Sequence, residues 1–294
     1  MPIIDLLQSS PTTFIIVAAI LGLLVGSFLN VVIHRLPLMM EAEWRQQCAE
    51  LAGQTDAAPQ ASINLVTPRS RCPHCGHAIT ALENIPVLSY LALKGACSAC
   101  GKAIALRYPL IEALTGLLTA LVAWHFGWSW QAAAAGVLTW ALIALSMIDL
   151  DQQLLPDSIT QPFLWFGLTL SLYGTTGLFT DTQSSIIGAL AGYLSLWLVY
   201  QVFKRLTGKE GMGYGDFKLL ALLGAWLGWQ VLPAIILLSS LVGAVIGIGL
   251  ILVRGRDRNL PIPFGPYLAT AGWIALLWGG QITQAYLQWV KLTP

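Results

Sequence analysis

The stretch FIIVAAILGLLVGSFLNVVI at residues 14–33 decides the fold class, because it is apolar along its length and carries no charge. A hydrocarbon core about 30 Å thick is crossed by roughly 20 apolar residues of α-helix, so the stretch predicts a transmembrane helix. Of the 294 residues in the chain, 56% are hydrophobic and 10% are charged. An ordinary soluble domain has about 25% charged residues. The composition therefore excludes a soluble enzyme, a secreted disulfide scaffold and a disordered protein.

Further apolar segments follow, and together they predict an all-α polytopic membrane protein embedded in a lipid bilayer. They lie at 109–127, 131–148, 159–179, 185–203 and 265–288. The uncharged stretch 219–253 would be about 52 Å long as a single helix, which is too long for one span. Gly228 and Pro233 offer a break inside it. We therefore predict a tight hairpin of two spans there, and about eight transmembrane helices in all.

The basic residues predict the orientation, because Lys and Arg collect in cytoplasmic loops. Residues 34–107 hold seven of the fifteen basic residues, and only Lys291 falls on the opposite side. The others follow the fifth and seventh spans: Lys204, Arg205, Lys209, Lys218, Arg254, Arg256 and Arg258. We expect both termini outside and a large cytoplasmic loop. The net charge of +1 gives no sign of a nucleic-acid partner.

These observations divide the chain into three parts. Residues 1–33 are the first transmembrane helix, 34–107 the cytoplasmic loop, and 108–294 a membrane domain of seven helices. Within the loop, Cys72 and Cys75 form one CxxC pair, and Cys97 and Cys100 form another. Two such pairs at this spacing are typical of a structural zinc site with four thiolate ligands. Two disulfides or four ordinary thiols are the alternatives, and a cytoplasmic location argues against disulfides.

Acidic residues at membrane depth are costly, which makes them functional candidates. Asp149 ends the third span and Asp216 begins the sixth, so the predicted topology places both at the cytoplasmic face. Two adjacent carboxylates that share one proton can perform aspartic peptidase chemistry: one activates water and the other polarises the scissile carbonyl. Gly213 and Gly215 leave the backbone before Asp216 open to an extended peptide.

Other polar residues near the spans are expected to support this site: Asp151, Asp157, Lys218 and Glu112. Each acidic one has a simpler explanation. Asp157 could cap the fourth span, Asp151 could be a solvated boundary residue, and Glu112 could pair with another buried polar group. Asp216 could itself be a helix cap.

Five segments together resemble the type IV prepilin peptidases, which are bifunctional enzymes of the bacterial inner membrane. They are the paired CxxC motifs and the stretches GSFLNVVIHRLP at 26–37, MIDLDQQLLPD at 147–157, GKEGMGYGDFKLL at 208–220 and PIPFGPYL at 261–268. The match runs through nearly the whole chain. The GxGD motif alone is a weak signal, since presenilin-like proteases share it.

The resemblance implies two activities. One is removal of a short basic leader from prepilins and pseudopilins after a glycine, and the other is N-methylation of the new amino terminus with S-adenosylmethionine. The family's catalytic aspartates correspond to Asp149 and Asp216. No nucleotide-binding pattern places the methyl donor. By elimination, and from their location alone, we expect it at the four-cysteine loop and the junction of that loop with the first two spans.

Three other functions are compatible with parts of the sequence. A proton-coupled transporter would also use intramembrane aspartates, although it would favour a midplane site and paired halves. A zinc-bearing assembly scaffold would tolerate replacement of the aspartates. A membrane aspartic peptidase that lacks methyltransferase activity is the third.

Overall fold

The computed structural model describes residues 2–53, 63–254 and 262–289. Within these residues there is no β-strand; the regular structure is helical, and two isolated bridges join Arg71 with Ala78 and Ala96 with Ala103. The helices are α1 Pro2–Ser9, α2 Pro11–Leu51, α3 Leu88–Ala92, α4 Arg107–Phe126, α5 Trp130–Gln152, α6 Asp157–Leu170, α7 Thr182–Thr207, α8 Tyr214–Leu227, α9 Leu232–Arg254 and α10 Gly265–Trp289. Short 3₁₀ turns occupy Leu82–Asn84 and Trp229–Val231.

The chain forms two compact units, Met1–Trp128 and Ser129–Pro294. The sequence-based division placed the second span in the peptidase domain from residue 108 onward. In the structure the helix of that span, α4, packs along α2 and so belongs to the first unit. The described part of the predicted loop, residues 34–53 and 63–107, lies in the same unit.

The first unit is built on the long helix α2, which does not end at residue 33 as the sequence suggested. Ser10 caps its start by accepting a hydrogen bond from the Thr13 amide at 3.3 Å. Pro37 lies inside the helix, yet the helix continues to Leu51. The residues after Pro37 are polar helix formers, and they extend α2 beyond the apolar span. Charge marks the end of the apolar stretch, whereas helix propensity decides where the helix ends.

Close contact between α2 and α4 holds the two helices of the first unit together. A methyl group added at Gly22 would lie 2.6 Å from Thr119 Oγ1, and one added at Gly26 would lie 2.8 Å from Glu112 Cα. Small residues at such a crossing allow two backbones to approach closely, which is how helices gain contact area within lipid.

Helix α8 is the core of the second unit. Phe217, Leu219, Leu220 and most of the residues up to Trp226 are almost fully buried. The helix packs against α6, α7 and α10, and α10 in turn packs against α5 and α9. A helix that is apolar on all sides and surrounded by other helices reads as an uninterrupted hydrophobic run in the sequence.

The predicted break in the stretch 219–253 is confirmed at Gly228. This residue has φ +82° and ends α8; the 3₁₀ turn Trp229–Val231 follows, and α9 begins at Leu232. A positive φ is easily adopted only by glycine, so Gly228 is the residue that permits the change in chain direction.

The described residues contain five helices that are long and apolar enough to cross a membrane. They are Pro11–Leu51, Arg107–Phe126, Trp130–Gln152, Thr182–Thr207 and Trp229–Gly249. The chain is therefore a polytopic membrane protein. The other three predicted spans correspond to α6, α8 and α10. Helices α6 and α8 have 14 residues each, about 21 Å at 1.5 Å per residue, and are too short to cross alone. Arg256, Arg258 and Lys291, which supported the orientation, lie outside the described residues.

Candidate active site and metal centre

The Asp149 carboxylate lies in the last turn of α5 and is 5% exposed. Its Oδ2 atom accepts a hydrogen bond from the Gly265 amide at 3.0 Å. Gly265 is the first residue of α10, 116 positions further along the chain. A buried carboxylate needs such a donor, because burial without a partner is costly.

Asp216 is the third residue of α8 and is 7% exposed. Its carboxylate faces the Gly213 amide, and it lies close enough to Asp149 for the two to interact electrostatically. The free amides of a first helical turn favour a negative charge at this position. The structure thus brings the two predicted aspartates together in one buried site.

Leu155 separates the elements that carry the two aspartates. It belongs to the α5–α6 connection and is 7% exposed. A methyl group added at Gly215 would lie 2.7 Å from Leu155 Cβ, and one added at Gly265 would lie 3.2 Å from Leu155 Cδ2. The Leu155 side chain therefore fills the notch between the residue before Asp216 and the residue whose amide binds Asp149.

The glycines of the 208–220 segment do not all serve the purpose that the sequence suggested. The Leu155 side chain occupies the space beside Gly215. An added methyl group at Gly211 would lie 2.8 Å from the Phe203 ring. At Gly213 the nearest atom to an added methyl group is Asp216 Oδ2, at 3.9 Å. Of these three glycines, Gly213 alone leaves open space beside the carboxylates.

The four residues that were expected to support the site lie in different places. Asp157 and Lys218 form an ion pair, in which Lys218 Nζ is 2.7 Å from both Asp157 oxygens. Pro156 occupies the N-cap position of α6, so Asp157 is a first-turn residue rather than the cap. Asp151 is exposed, and two positions after Asp149 it lies on the other side of α5.

Glu112 belongs to the first unit and stabilises a connection there. Its Oε2 atom accepts a hydrogen bond from the Val87 amide at 2.8 Å. Val87 has φ +60°, which is strained for a β-branched residue. The carboxylate therefore holds the strained turn that precedes α3 against α4.

The four predicted cysteine ligands form a cluster in which all sulfur atoms lie within 4.8 Å of one another. The Sγ atoms of Cys72 and Cys100 are 3.8 Å apart, and those of Cys75 and Cys97 are 4.0 Å apart. A disulfide requires about 2.05 Å, so the disulfide alternative is wrong. The backbone amides of Cys75 and His74 lower the pKa of Cys72 to about 6, whereas burial and the neighbouring thiols raise the pKa of Cys75 to about 11. The cluster can hold a metal ion.

The two cysteine pairs have the same backbone geometry. The Cys72 amide bonds to His77 O at 2.9 Å, and the Cys97 amide bonds to Lys102 O at 2.8 Å. Each loop turns through a glycine with positive φ, Gly76 and Gly101. The sequence places those two glycines directly after the second cysteine of each pair, as a turn around a metal requires.

Glu83 joins the two cysteine loops to each other. Its carboxylate accepts hydrogen bonds from the Ser98 hydroxyl and from the Thr80 amide at 2.8 Å, and His77 Nε2 lies 3.2 Å away. The Ser98 hydrogen bond, followed by those from Thr80, lowers the pKa of Glu83 to about 2. Glu83 is therefore ionised at every physiological pH.

Residues 26–37 of α2 carry the polar side chains that bind the loop between α2 and α4 to this helix. Ser27 Oγ bonds to Asn84 Oδ1 at 3.5 Å, and Asn30 Nδ2 donates to Tyr108 O at 3.2 Å. Arg35 donates to Asn64 O at 2.9 Å and to Pro68 O at 2.6 Å. Polar residues at the end of an apolar span thus bind the loop that returns to it.

Sequence reasoning missed Leu155, Gly265 and Glu83. Gly265 belongs to the quoted stretch PIPFGPYL, and its position between two prolines was the one available signal. Leu155 carried no signal, because an apolar residue beside a membrane span is common.

Two family models match the chain. The bacterial peptidase A24 N-terminal domain matches residues 20–126, and the type IV leader peptidase family matches residues 136–248. The gap between the two matches contains the boundary between the two compact units.

Curated proteins named prepilin leader peptidase/N-methyltransferase are similar to almost the whole chain. The protein of Stutzerimonas stutzeri is 58% identical over 98% of this chain and 99% of its own length. The protein of Pseudomonas aeruginosa is 58% identical over 98% of both chains, and that of Aeromonas hydrophila is 55% identical over 97% of this chain and 98% of its own. No solved structure matches the chain significantly. The two domain matches and these identities show that the chain belongs to the type IV leader peptidase family.

Proposed function

We propose that this protein removes the short basic leader of type IV prepilins and pseudopilins after a glycine, and then N-methylates the new amino terminus with S-adenosylmethionine. The names of the relatives support both activities. The observation that carries the peptidase is the pair of buried carboxylates, Asp149 and Asp216, beside the notch that Leu155 fills. The leader peptidase match over 136–248 favours this function over a transporter.

The dyad performs hydrolysis without a covalent intermediate. Two neighbouring buried carboxylates can hold one proton between them. The ionised carboxylate takes a proton from water, and the water oxygen attacks the scissile carbonyl carbon. The protonated carboxylate donates a hydrogen bond to the carbonyl oxygen. The C–N bond then breaks, and the leaving nitrogen receives the proton that the carboxylate took from water. The open face at Gly213 accommodates the backbone of the substrate glycine.

The cysteine cluster fits Zn²⁺ as a structural ion. A tetrahedral site with Zn–S distances of about 2.3 Å has S–S edges of about 3.8 Å. The Cys72–Cys100 and Cys75–Cys97 sulfur distances are 3.8 and 4.0 Å. Cys72, Cys75, Cys97 and Cys100 would be the ligands. Four protein ligands leave no open position for catalysis. The ion would join two loops that bury few apolar residues between them.

S-adenosylmethionine would supply an electrophilic methyl group to the new amine. We name no residues for its binding. Its expected place is the four-cysteine module and the helices beside it in the first unit. Normal methylation by a Cys97→Ser variant would count against that location.

The protein works in the bacterial inner membrane, with the four-cysteine module in the cytoplasm and both termini in the periplasm. The distribution of basic residues supports this orientation. The prepilin's apolar helix stays in the bilayer, and its scissile bond lies at the cytoplasmic boundary beside the dyad.

The test is to incubate the purified protein in detergent with a prepilin and a labelled methyl donor, and to measure the products by mass spectrometry. We expect a product that lacks the leader and carries one added methyl group. Cleavage without methylation would support the peptidase activity and contradict the methyltransferase activity. Failure to cleave, with the fold and metal content intact, would contradict the peptidase and favour the transporter alternative.

A further inference from the structure

The ion pair between Asp157 and Lys218 joins the first residue of α6 to the fifth residue of α8. Lys218 is two residues after Asp216, and Asp157 is two residues after Leu155. Residues two apart on a helix face different directions, so Lys218 points away from the reacting carboxylate. The Asp157 side chain is 59% exposed and the Lys218 side chain 27%.

Helix α6 has a second, independent attachment to α8. Trp226, near the far end of α8, donates from Nε1 to Phe163 O at 2.7 Å. Its ring packs against Phe163 and Phe166. A methyl group added at Gly167 would collide with the Trp226 ring. The ion pair is therefore not needed to keep α6 on α8; it fixes only the beginning of α6.

The segment next to the beginning of α6 is the one that carries Leu155. Helix α5 ends at Gln152, and Gln153 adopts the left-handed conformation with φ +53°. Three further residues lead to Asp157, and Leu155 is the middle one. Asp157 is thus two residues from the side chain that fills the notch between Gly215 and Gly265.

We propose that Asp157 and Lys218 are a positioning pair for the peptidase reaction: their ion pair keeps Leu155 in its notch and so sets the spacing of the Asp149 and Asp216 carboxylates. The inference rests on the proposed function and adds two positioning residues to it. Neither residue touches the reacting atoms.

The physical expectation is a loss of rate with little loss of stability. An exposed ion pair contributes about 0–1 kcal/mol to folding. A displacement of about 1 Å at reacting groups can lower a rate by about 10²-fold. Removing the pair should therefore lower kcat much more than it lowers the unfolding temperature.

The experiment measures steady-state cleavage of a prepilin substrate in detergent, with the unfolding temperature of each variant. The variants are Lys218→Met, Asp157→Asn, Lys218→Arg and the swap of Asp157→Lys with Lys218→Asp. Arg45→Met is the matched control, because Arg45 forms an exposed ion pair with Glu41 in the first unit.

We expect kcat to fall roughly 10- to 100-fold in Lys218→Met and Asp157→Asn, with KM and the unfolding temperature close to those of the wild type. Lys218→Arg and the swap should each recover most of the loss, and Arg45→Met should match the wild type. Unchanged kcat in Lys218→Met, a change in KM alone, or a kcat loss that neither Lys218→Arg nor the swap reduces would overturn the inference. So would a kcat loss explained by unfolding. No cleavage by the wild type, or full cleavage by Asp216→Asn, would instead overturn the proposed function.

Discussion

Gly215 and Gly265 both approach the Leu155 side chain, and each lies next to one aspartate. An added methyl group at Gly215 would be 2.7 Å from Leu155 Cβ, and one at Gly265 would be 2.7 Å from Asp149 Oδ2. Real Cβ atoms do not approach other heavy atoms so closely. A neighbouring side chain must therefore move in both cases: Leu155 in the first and Asp149 in the second.

Gly215→Ala and Gly265→Ala should therefore each lower prepilin cleavage by roughly tenfold or more, because small displacements at reacting groups are costly. Gly136→Ala is the matched control, since Gly136 lies inside α5 with nothing within 4 Å of an added methyl group. The rate measured for each variant is compared at equal protein and metal content. Wild-type cleavage by Gly215→Ala would contradict the role given to Leu155.

Residue types and spacing predicted the aspartates and cysteines that the structure brings together. Two CxxC pairs predict a metal site, and two aspartates at one membrane face predict a dyad. Leu155 and Gly265 could not be predicted, because their roles are apolar contact and one backbone amide. The Gly265 amide reaches Asp149 across 116 residues of chain, and no local pattern encodes such a pairing.

At the scale of elements, composition predicted the apolar cores of the helices well and their ends less well. Helix α2 continues through Pro37 to Leu51 because polar helix formers follow the apolar span. Helix α6 ends at Leu170, whereas the predicted span ended at 179. A turn with two positive-φ glycines, Gly174 and Gly177, follows Leu170. Periodicity does not distinguish an apolar helix from the apolar turn that follows it.

Glu83 allows a test of how the cysteine module holds together. In Glu83→Ala the hydrogen bonds from Thr80 and Ser98 are lost, so the two cysteine loops are no longer joined through this carboxylate. We expect zinc to be released to a chelator faster, on the order of tenfold, as is typical when groups around metal ligands are removed.

The comparison is made at pH 7. The pKa of Glu83 is lowered, so its contribution to stability is complete above its ordinary value of about 4.5 and is lost as the pH falls toward about 2. Glu41→Ala is the control, because Glu41 lies in an exposed pair on α2. Equal release rates in the two variants would contradict the role of Glu83.

At the scale of the whole molecule, each of the two family matches lies within one of the two compact units. The sequence predicted a polytopic membrane protein from composition alone, and the structure confirms it. The boundary near residue 128 could not be predicted, because it depends on α4 packing along α2 rather than on any change in composition.

Orientation in the membrane is tested by labelling with a membrane-impermeant maleimide in spheroplasts. The exposed thiol of Cys48 should react only after the membrane is opened, since it lies in the predicted cytoplasmic part. A thiol introduced by Thr176→Cys, in the connection between α6 and α7, should react in intact spheroplasts. Labelling of Cys48 from outside would contradict the orientation.

The central claim is that Asp149 and Asp216 together cleave the leader. The most direct measurement is prepilin cleavage by purified wild type, Asp149→Asn and Asp216→Asn at equal zinc content. Asp181→Asn is the control: the Asp181 carboxylate caps α7 by accepting the Ser184 amide at 2.9 Å, and asparagine caps equally well. We predict cleavage by the wild type and the control and none by either dyad variant. Cleavage that survives in Asp149→Asn or Asp216→Asn would contradict the account and place the chemistry elsewhere.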